Sequence, residues 1–179
     1  PEMQSGGLRM EKPLNEIYQF LQKLIGHYRQ LMDFVRAERE ALVQADIKGI
    51  HEALAGKEAL LQLIQQTEKE RMQVVAELAL LWKKPLRDLT LTAIIHHVQG
   101  TDLKRAEQLR SVHTTLNMMI QRVRENNEDN RAFVEKSLVH IGEMKRNVLG
   151  EAVPRADTYN PQGQRSANTG SSRLVNREA

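Results

Sequence analysis

The 179-residue chain contains no cysteine, which removes disulfide frameworks, cysteine zinc sites and thiol nucleophiles at once. Aromatic residues make up only 4% of it, and there are five prolines. A β-sandwich or barrel draws on aromatic and β-branched strands broken by frequent turns, so those folds are excluded. No apolar run approaches the roughly 18 residues that a membrane-spanning helix requires. The richest stretch, Val74 to Trp82, is short and interrupted by Glu77. No charged n-region followed by an apolar h-region opens the chain, so no secretory signal and no membrane insertion are expected.

Charge of one sign is also lacking. Lys and Arg total 26 against 23 Asp and Glu, a formal +3, although the isoelectric point is near 9.3. The largest basic groups are Lys83-Lys84 with Arg87, Lys104-Arg105 and Lys145-Arg146, each with acids nearby. Residues 14–150 carry 20 basic and 18 acidic side chains in alternation, the pattern of solvated helix faces and not of a phosphate track. No nucleic-acid partner is expected.

What is present is helical periodicity. Between Pro13 and Pro154 only Pro85 occurs, and three zones follow. Residues 1–13 read as a leader, in part a cloning remnant, with Met3 or Met10 as candidate native starts. Residues 14–149 read as a helical body and 150–179 as a flexible tail. The first helix is expected from about Leu14 to Ala45, with large residues at 14, 17, 21, 24, 28, 31, 35 and 42. These alternating steps of three and four make a heptad seam, broken only where Glu38 stands.

Asp46 is placed to cap a second helix, its carboxylate accepting from the free amides. The period resumes at 50, 54, 61, 64, 75, 78 and 82, with Lys57, Glu68 and Arg71 at seam-like places. Gly49 and Gly56 either weaken this helix or permit a close helix contact. Pro85 ends it. Residues 86–100 hold Leu86, Leu89, Leu91, Ile94, Ile95 and Val98, too apolar for a solvated loop. They predict a short helix, capped by Thr90 or Thr92, that plugs one end of the bundle.

Thr101 or Asp102 opens the last and longest helix, running to about Leu149. Its seam is Leu109, Val112, Leu116, Met119, Val123, Asn127, Asn130, Val134, Ile141, Met144 and Val148. Asparagine at such positions can fix register at a cost in stability. Gly150 suits the helix end. The fold class is therefore all-α: an elongated antiparallel three-helix hairpin or bundle, coiled-coil-like, with a short connecting helix. The tail, with Pro154, Pro161, Gly163, Gly170 and Tyr159 as its only aromatic, is too polar to offset its ordering entropy and is expected to be disordered.

No catalytic motif accompanies this architecture. None of the six histidines follows a glutamate by three residues, so the Glu-x-x-His ligand pair of di-iron bundles is missing. His96 and His97 are adjacent and point about 100° apart on a helix, while His27, His51, His113 and His140 stand singly. There is no Gly-rich phosphate loop and no Gly-x-Ser-x-Gly elbow. No enzyme activity, metal or cofactor is expected. What remains is surface for a protein partner: an amphipathic helix can lie in the groove of such a bundle. Several of the seven methionines, among them Met118-Met119 and Met144, suit such a groove or fill gaps in the core.

Three stretches resemble the FlgN family of bacterial type III flagellar export chaperones. The first is Glu38-x-Glu40-Ala41-Leu42 through Asp46-Ile47, Leu54, Lys57-Glu58-x-Leu60-Leu61 and Glu70-Arg71, like the family's long hairpin. The second is Asn126-Asn127-Glu128-Asp129-Asn130-Arg131-Ala132-Phe133-Val134, like its asparagine-spaced segment. The third is Thr158-Tyr159-Asn160-Pro161-Gln162-Gly163-Gln164, like its Leu-Tyr-x-x-x-Gly tail, with Thr158 where leucine is often found.

The resemblance implies a cytoplasmic chaperone without cofactors that binds the C-terminal helical segments of the hook-associated proteins FlgK and FlgL. It implies delivery to the export gate component FlhA, docked through Tyr159. The cargo face it implies is Met119, Val123, Asn127, Asn130, Val134, Leu138, Ile141 and Met144. A self-associating coiled-coil scaffold is the alternative, and monomer or homodimer is left open.

Overall fold

In the computed structural model the backbone is described over residues 2–150 and the side chains over residues 11–150. Four α-helices account for nearly all of it: α1 (Glu2–Gln44), α2 (Ile47–Trp82), α3 (Leu91–Gln99) and α4 (Leu103–Leu149). Among the described residues no helix is long and apolar enough to cross a membrane.

α1 begins earlier than its periodicity predicts, at Glu2 and not at Leu14, and continues through Pro13. A proline lacks the amide that bonds the preceding turn, which is why it reads as a boundary. Here Pro13 is buried, and α4 reaches the turn around it: the Arg105 guanidinium donates to the Glu11 carbonyl at 3.3 Å and to Asn15 Oδ1 at 2.8 Å. The stripe that follows is inward as predicted, with Leu14, Ile17, Leu21, Leu24, Leu31 and Val35 buried. Burying a side chain of this size stabilises by roughly 1.5–3 kcal/mol.

The turn between α1 and α2 is two residues long. Ala45 adopts φ 53°, the left-handed residue that commonly closes a helix, and the Asp46 amide donates back to the Ala41 carbonyl at 2.9 Å. Asp46 does occupy the N-cap position of α2, but its carboxylate makes no capping hydrogen bond. It lies instead over Gly49, where an added methyl group would meet Asp46 Oδ2 at 2.5 Å. α2 runs unbroken through Gly49 and Gly56. A methyl group at Gly56 would collide with the ring of Phe34 on α1, so this glycine serves close approach of the two helices.

Along the first half of α2, Lys57 and Ile64 are inward as predicted, whereas the predicted Leu54 and Leu61 give way to Ala53 and Leu60 beside them. Ala53, Leu60, Ile64 and Thr67 are buried, while Leu54 and Leu61 are 44% and 48% exposed. Thr67 points inward as well, and the seam Ala53–Lys57–Leu60–Ile64–Thr67 keeps the alternating steps of four and three; small Ala53 and polar Thr67 are the members that a search for large apolar residues passes over.

Lys83, at φ 52°, ends α2. Its amide donates to Leu80 and that of Lys84 to Ala79, a Schellman arrangement. A single 3₁₀ turn, Leu86–Asp88, follows. Thr90 then caps α3 by accepting from the Ala93 amide at 3.2 Å. Leu89, Ile94, Ile95 and Val98 join the same buried cluster as the long helices, as the plug reading requires. Asp102 caps α4, its Oδ1 accepting from the Arg105 amide at 3.0 Å, and Gly150 follows its end at φ 58°.

The chain divides after Ser137 into two compact units. In the first, α1 and α2 form an antiparallel hairpin. α4 pairs Arg105 with Asn15 and Asn130 with Val35, so it runs parallel to α1 and antiparallel to α2. Ala106, Leu109, Val112, Leu116 and Val123 are its contribution to the core. Of the second unit, residues 138–150 are described, and they comprise the last turns of α4.

Candidate functional site

The α4 face singled out by sequence divides into two parts of different character. Within the first unit, Val123 and Asn130 are buried, and Met119, Asn127 and Val134 are half-buried. In the second unit, Leu138, Ile141 and Met144 are 63%, 59% and 53% exposed. Val148, which belongs to the predicted seam but not to the implied cargo face, and Val139 and Leu149, which belong to neither, are exposed as well. The 12 residues Leu138–Leu149 thus present six large apolar side chains to solvent. Leu138, Ile141 and Val148 recur at i, i+3 and i+10, one stripe of a helix. Exposed apolar stripes of this kind are features of association surfaces. Tyr159 lies outside the described residues.

The two asparagines of the site belong to a polar layer that joins all three long helices. Glu38 on α1 accepts through Oε2 from Lys57 Nζ on α2 at 2.8 Å and from Asn130 Nδ2 on α4 at 2.9 Å. Asn130 Nδ2 also donates to the Val35 carbonyl at 2.9 Å, and Lys57 Nζ donates to Asn127 Oδ1 at 2.8 Å. The Lys57 and Glu38 side chains are only 17% and 11% exposed. A charged pair so placed is tolerable because each partner also bonds an asparagine of α4, Lys57 to Asn127 and Glu38 to Asn130. Among the described residues no buried side-chain nitrogen or oxygen lacks a partner. Glu38 is the residue that interrupts the α1 seam. The sequence shows the interruption but not its partners, which lie 19 and 92 positions away.

Beside this layer Arg39 secures the next turn of α4. It donates to the Asp129 carbonyl at 3.4 Å, and its guanidinium lies 4.2 Å above the centre of the Phe133 ring. Such a stacked cation contributes about 0.5–1 kcal/mol at an exposed site.

A second concavity, about 600 Å³, opens where α2, the connector and α4 meet; Arg71, Met72, Leu86, Leu91, His113 and Ile120 are among its walls. Arg71 is held by Glu68 through hydrogen bonds of 2.9 and 2.7 Å.

The histidines are dispersed. His27 on α1 lies 3.3 Å from Thr67 Oγ1, and burial, with the nearby Lys23 charge, holds its pKa below the ordinary value. His97 stacks at 4.0 Å on Trp82, and burial, then Lys84 and His96, lower its pKa too. Among the described residues no group of three or more His, Asp or Glu is placed to hold a metal ion. The arrangement offers an exposed apolar helix face at 138–149 and, within the first unit, an internal polar layer that ties α4 to α1 and α2.

Comparison with known families gives one result. The family model for FlgN protein matches residues 10–167, from the first helix into the segment beyond α4. No curated protein and no solved structure matches.

Proposed function

The chain belongs to the FlgN family, and from that membership we infer that it is a flagellar export chaperone, not an enzyme, whose clients are hook-associated proteins. FlgK and FlgL are the clients in this reading, each bound through its C-terminal helical segment. The observation that carries it is the run of exposed apolar side chains on the last turns of α4, centred on Leu138, Ile141 and Met144. Such a surface can shield an amphipathic client helix by burial alone, at about 25 cal/mol per Å² of apolar surface covered, with no nucleotide or covalent step. The work belongs in the cytoplasm, before export.

Delivery is assigned to the segment beyond α4. There Tyr159 is the single aromatic among polar residues, and it docks the loaded chaperone on the export gate component FlhA. Client capture and gate docking then use different parts of the chain.

Size-exclusion co-elution of FlgK with residues 1–179 and with residues 1–149 tests this reading. A 1:1 complex in both forms supports client binding by the helices and leaves the tail for docking. A complex with the longer form alone moves client binding to the tail. No complex with either, together with a concentration-insensitive dimer of the chain itself, favours a self-associating scaffold.

A further inference from the structure

The apolar stripe on the last turns of α4 has a cation inside it. Measured from Leu138 at about 100° per residue, Leu149 lies about 20° to one side, and Ile141 and Val148 about 60° and 80° to the other. Lys145 falls within that arc, about 20° from Leu138. All five side chains are exposed.

Nothing on the helix answers this charge. Ion pairs on a helix surface join residues three or four apart, and around Lys145 those positions hold Ile141, Gly142, Val148 and Leu149. Glu143 is two residues back, roughly 160° round the helix. Among the described residues no carboxylate forms an ion pair with Lys145. Other surface cations are placed differently: Lys12 with Glu16, Lys48 with Glu52 and Arg131 with Glu135 are i, i+4 pairs.

In water an unpaired ammonium is well solvated. A second helix that closes over Leu138, Ile141 and Val148 also covers Lys145 and strips its hydration. An uncompensated charge at the centre of an apolar contact is costly, and a carboxylate brought by the other helix offsets that cost.

We propose that Lys145 is the specificity determinant of this surface, selecting an amphipathic helix that carries a carboxylate within its own apolar stripe. The selection deepens the export-chaperone reading above and rests on its client face.

Titration calorimetry tests it with three designed amphipathic helical peptides, identical except for glutamate, glutamine or lysine at one central stripe position, and with the FlgK C-terminal segment. Each is titrated into the full chain and into its Lys145→Met and Lys145→Glu variants. Because Lys145 is exposed, both variants should unfold at the temperature of the unaltered protein. The unaltered chain binds the glutamate peptide about tenfold or more tighter than the glutamine peptide, and the lysine peptide weakest. Lys145→Met loses the preference for glutamate. Lys145→Glu reverses the order and weakens the FlgK segment about tenfold or more.

Equal binding of the glutamate and glutamine peptides by the unaltered chain means that the ammonium escapes to solvent along its stem, and it overturns the selection. So does a glutamate preference that survives in Lys145→Met. Should the FlgK segment alone bind, its response to Lys145→Glu decides. Undiminished FlgK binding by Lys145→Glu overturns the selection of clients while leaving the chaperone reading intact. Peptides that bind in the expected order beside a FlgK segment that does not bind remove the chaperone reading and leave the selectivity standing. Binding of none of the four overturns both.

Discussion

Glu38 and Asn130 lie 92 positions apart in the chain and share a hydrogen bond of 2.9 Å inside the bundle. The same Asn130 amide nitrogen reaches the Val35 carbonyl one turn away. This one side chain therefore fixes both the axial position and the rotation of α4 against α1. Asn130→Asp preserves shape but replaces the donor with a carboxylate facing Glu38. Loss of both bonds and the like-charge contact are expected to destabilise by about 3 kcal/mol, read by urea unfolding. Asn130→Leu removes the donors without adding charge and should cost less than Asn130→Asp.

Gly56 and Gly26 make a matched pair. Alanine is the better helix former at both sites by about 1 kcal/mol. At Gly26 a methyl group meets nothing within 4 Å, so Gly26→Ala should raise stability by about that amount. At Gly56 the methyl group overlaps the Phe34 ring, and forcing the ring aside costs about 1–3 kcal/mol. Gly56→Ala is therefore expected to be net destabilising, and thermal unfolding of the two variants should move in opposite directions.

His27 gives the bundle a pH dependence. Thr67 donates its hydroxyl proton to the Leu63 carbonyl at 2.8 Å, leaving the oxygen to accept from a neutral His27 ring. Because burial holds the folded pKa below 6.5, the unfolded chain binds the proton more readily. Stability is therefore full above about pH 6.5 and falls as pH drops through the folded value. Denaturant midpoints between pH 5 and 8 should show this fall, and His27→Gln should reduce it, leaving the part due to His97, whose pKa is lowered in the same direction.

Much of this architecture was legible in the chain, for reasons that differ by element. The α1 stripe from Leu14 to Val35 is apolar at every seam position except half-buried Tyr28, so period alone placed it. α2 misled at Leu54 and Leu61 because small Ala53 and polar Thr67 occupy inward positions; a pattern search that scores large apolar residues slides to the neighbouring stripe there, although it placed Lys57 and Ile64 correctly. The asparagines of α4 stood out as register devices, but nothing local names their partners, since Glu38 and Lys57 come from two other helices.

Tyr159→Ala separates capture from delivery. The substitution is expected to leave the affinity for FlgK unchanged and to weaken docking of the chaperone–client complex on FlhA, measured by pull-down on the soluble part of the gate protein. Equal loss of both activities contradicts the division of labour.

The central claim is that the exposed apolar turns of α4 hold the client. Its most direct test is titration calorimetry of the FlgK C-terminal helical segment against the full chain and against Leu138→Ser, Ile141→Ser, Met144→Ser combined. These side chains are more than half exposed, so the variant should unfold at the same temperature as the unaltered protein. Burial of three such residues is worth several kcal/mol, so affinity is expected to fall about a hundredfold or more. A variant that folds normally and binds FlgK with undiminished affinity would contradict the account.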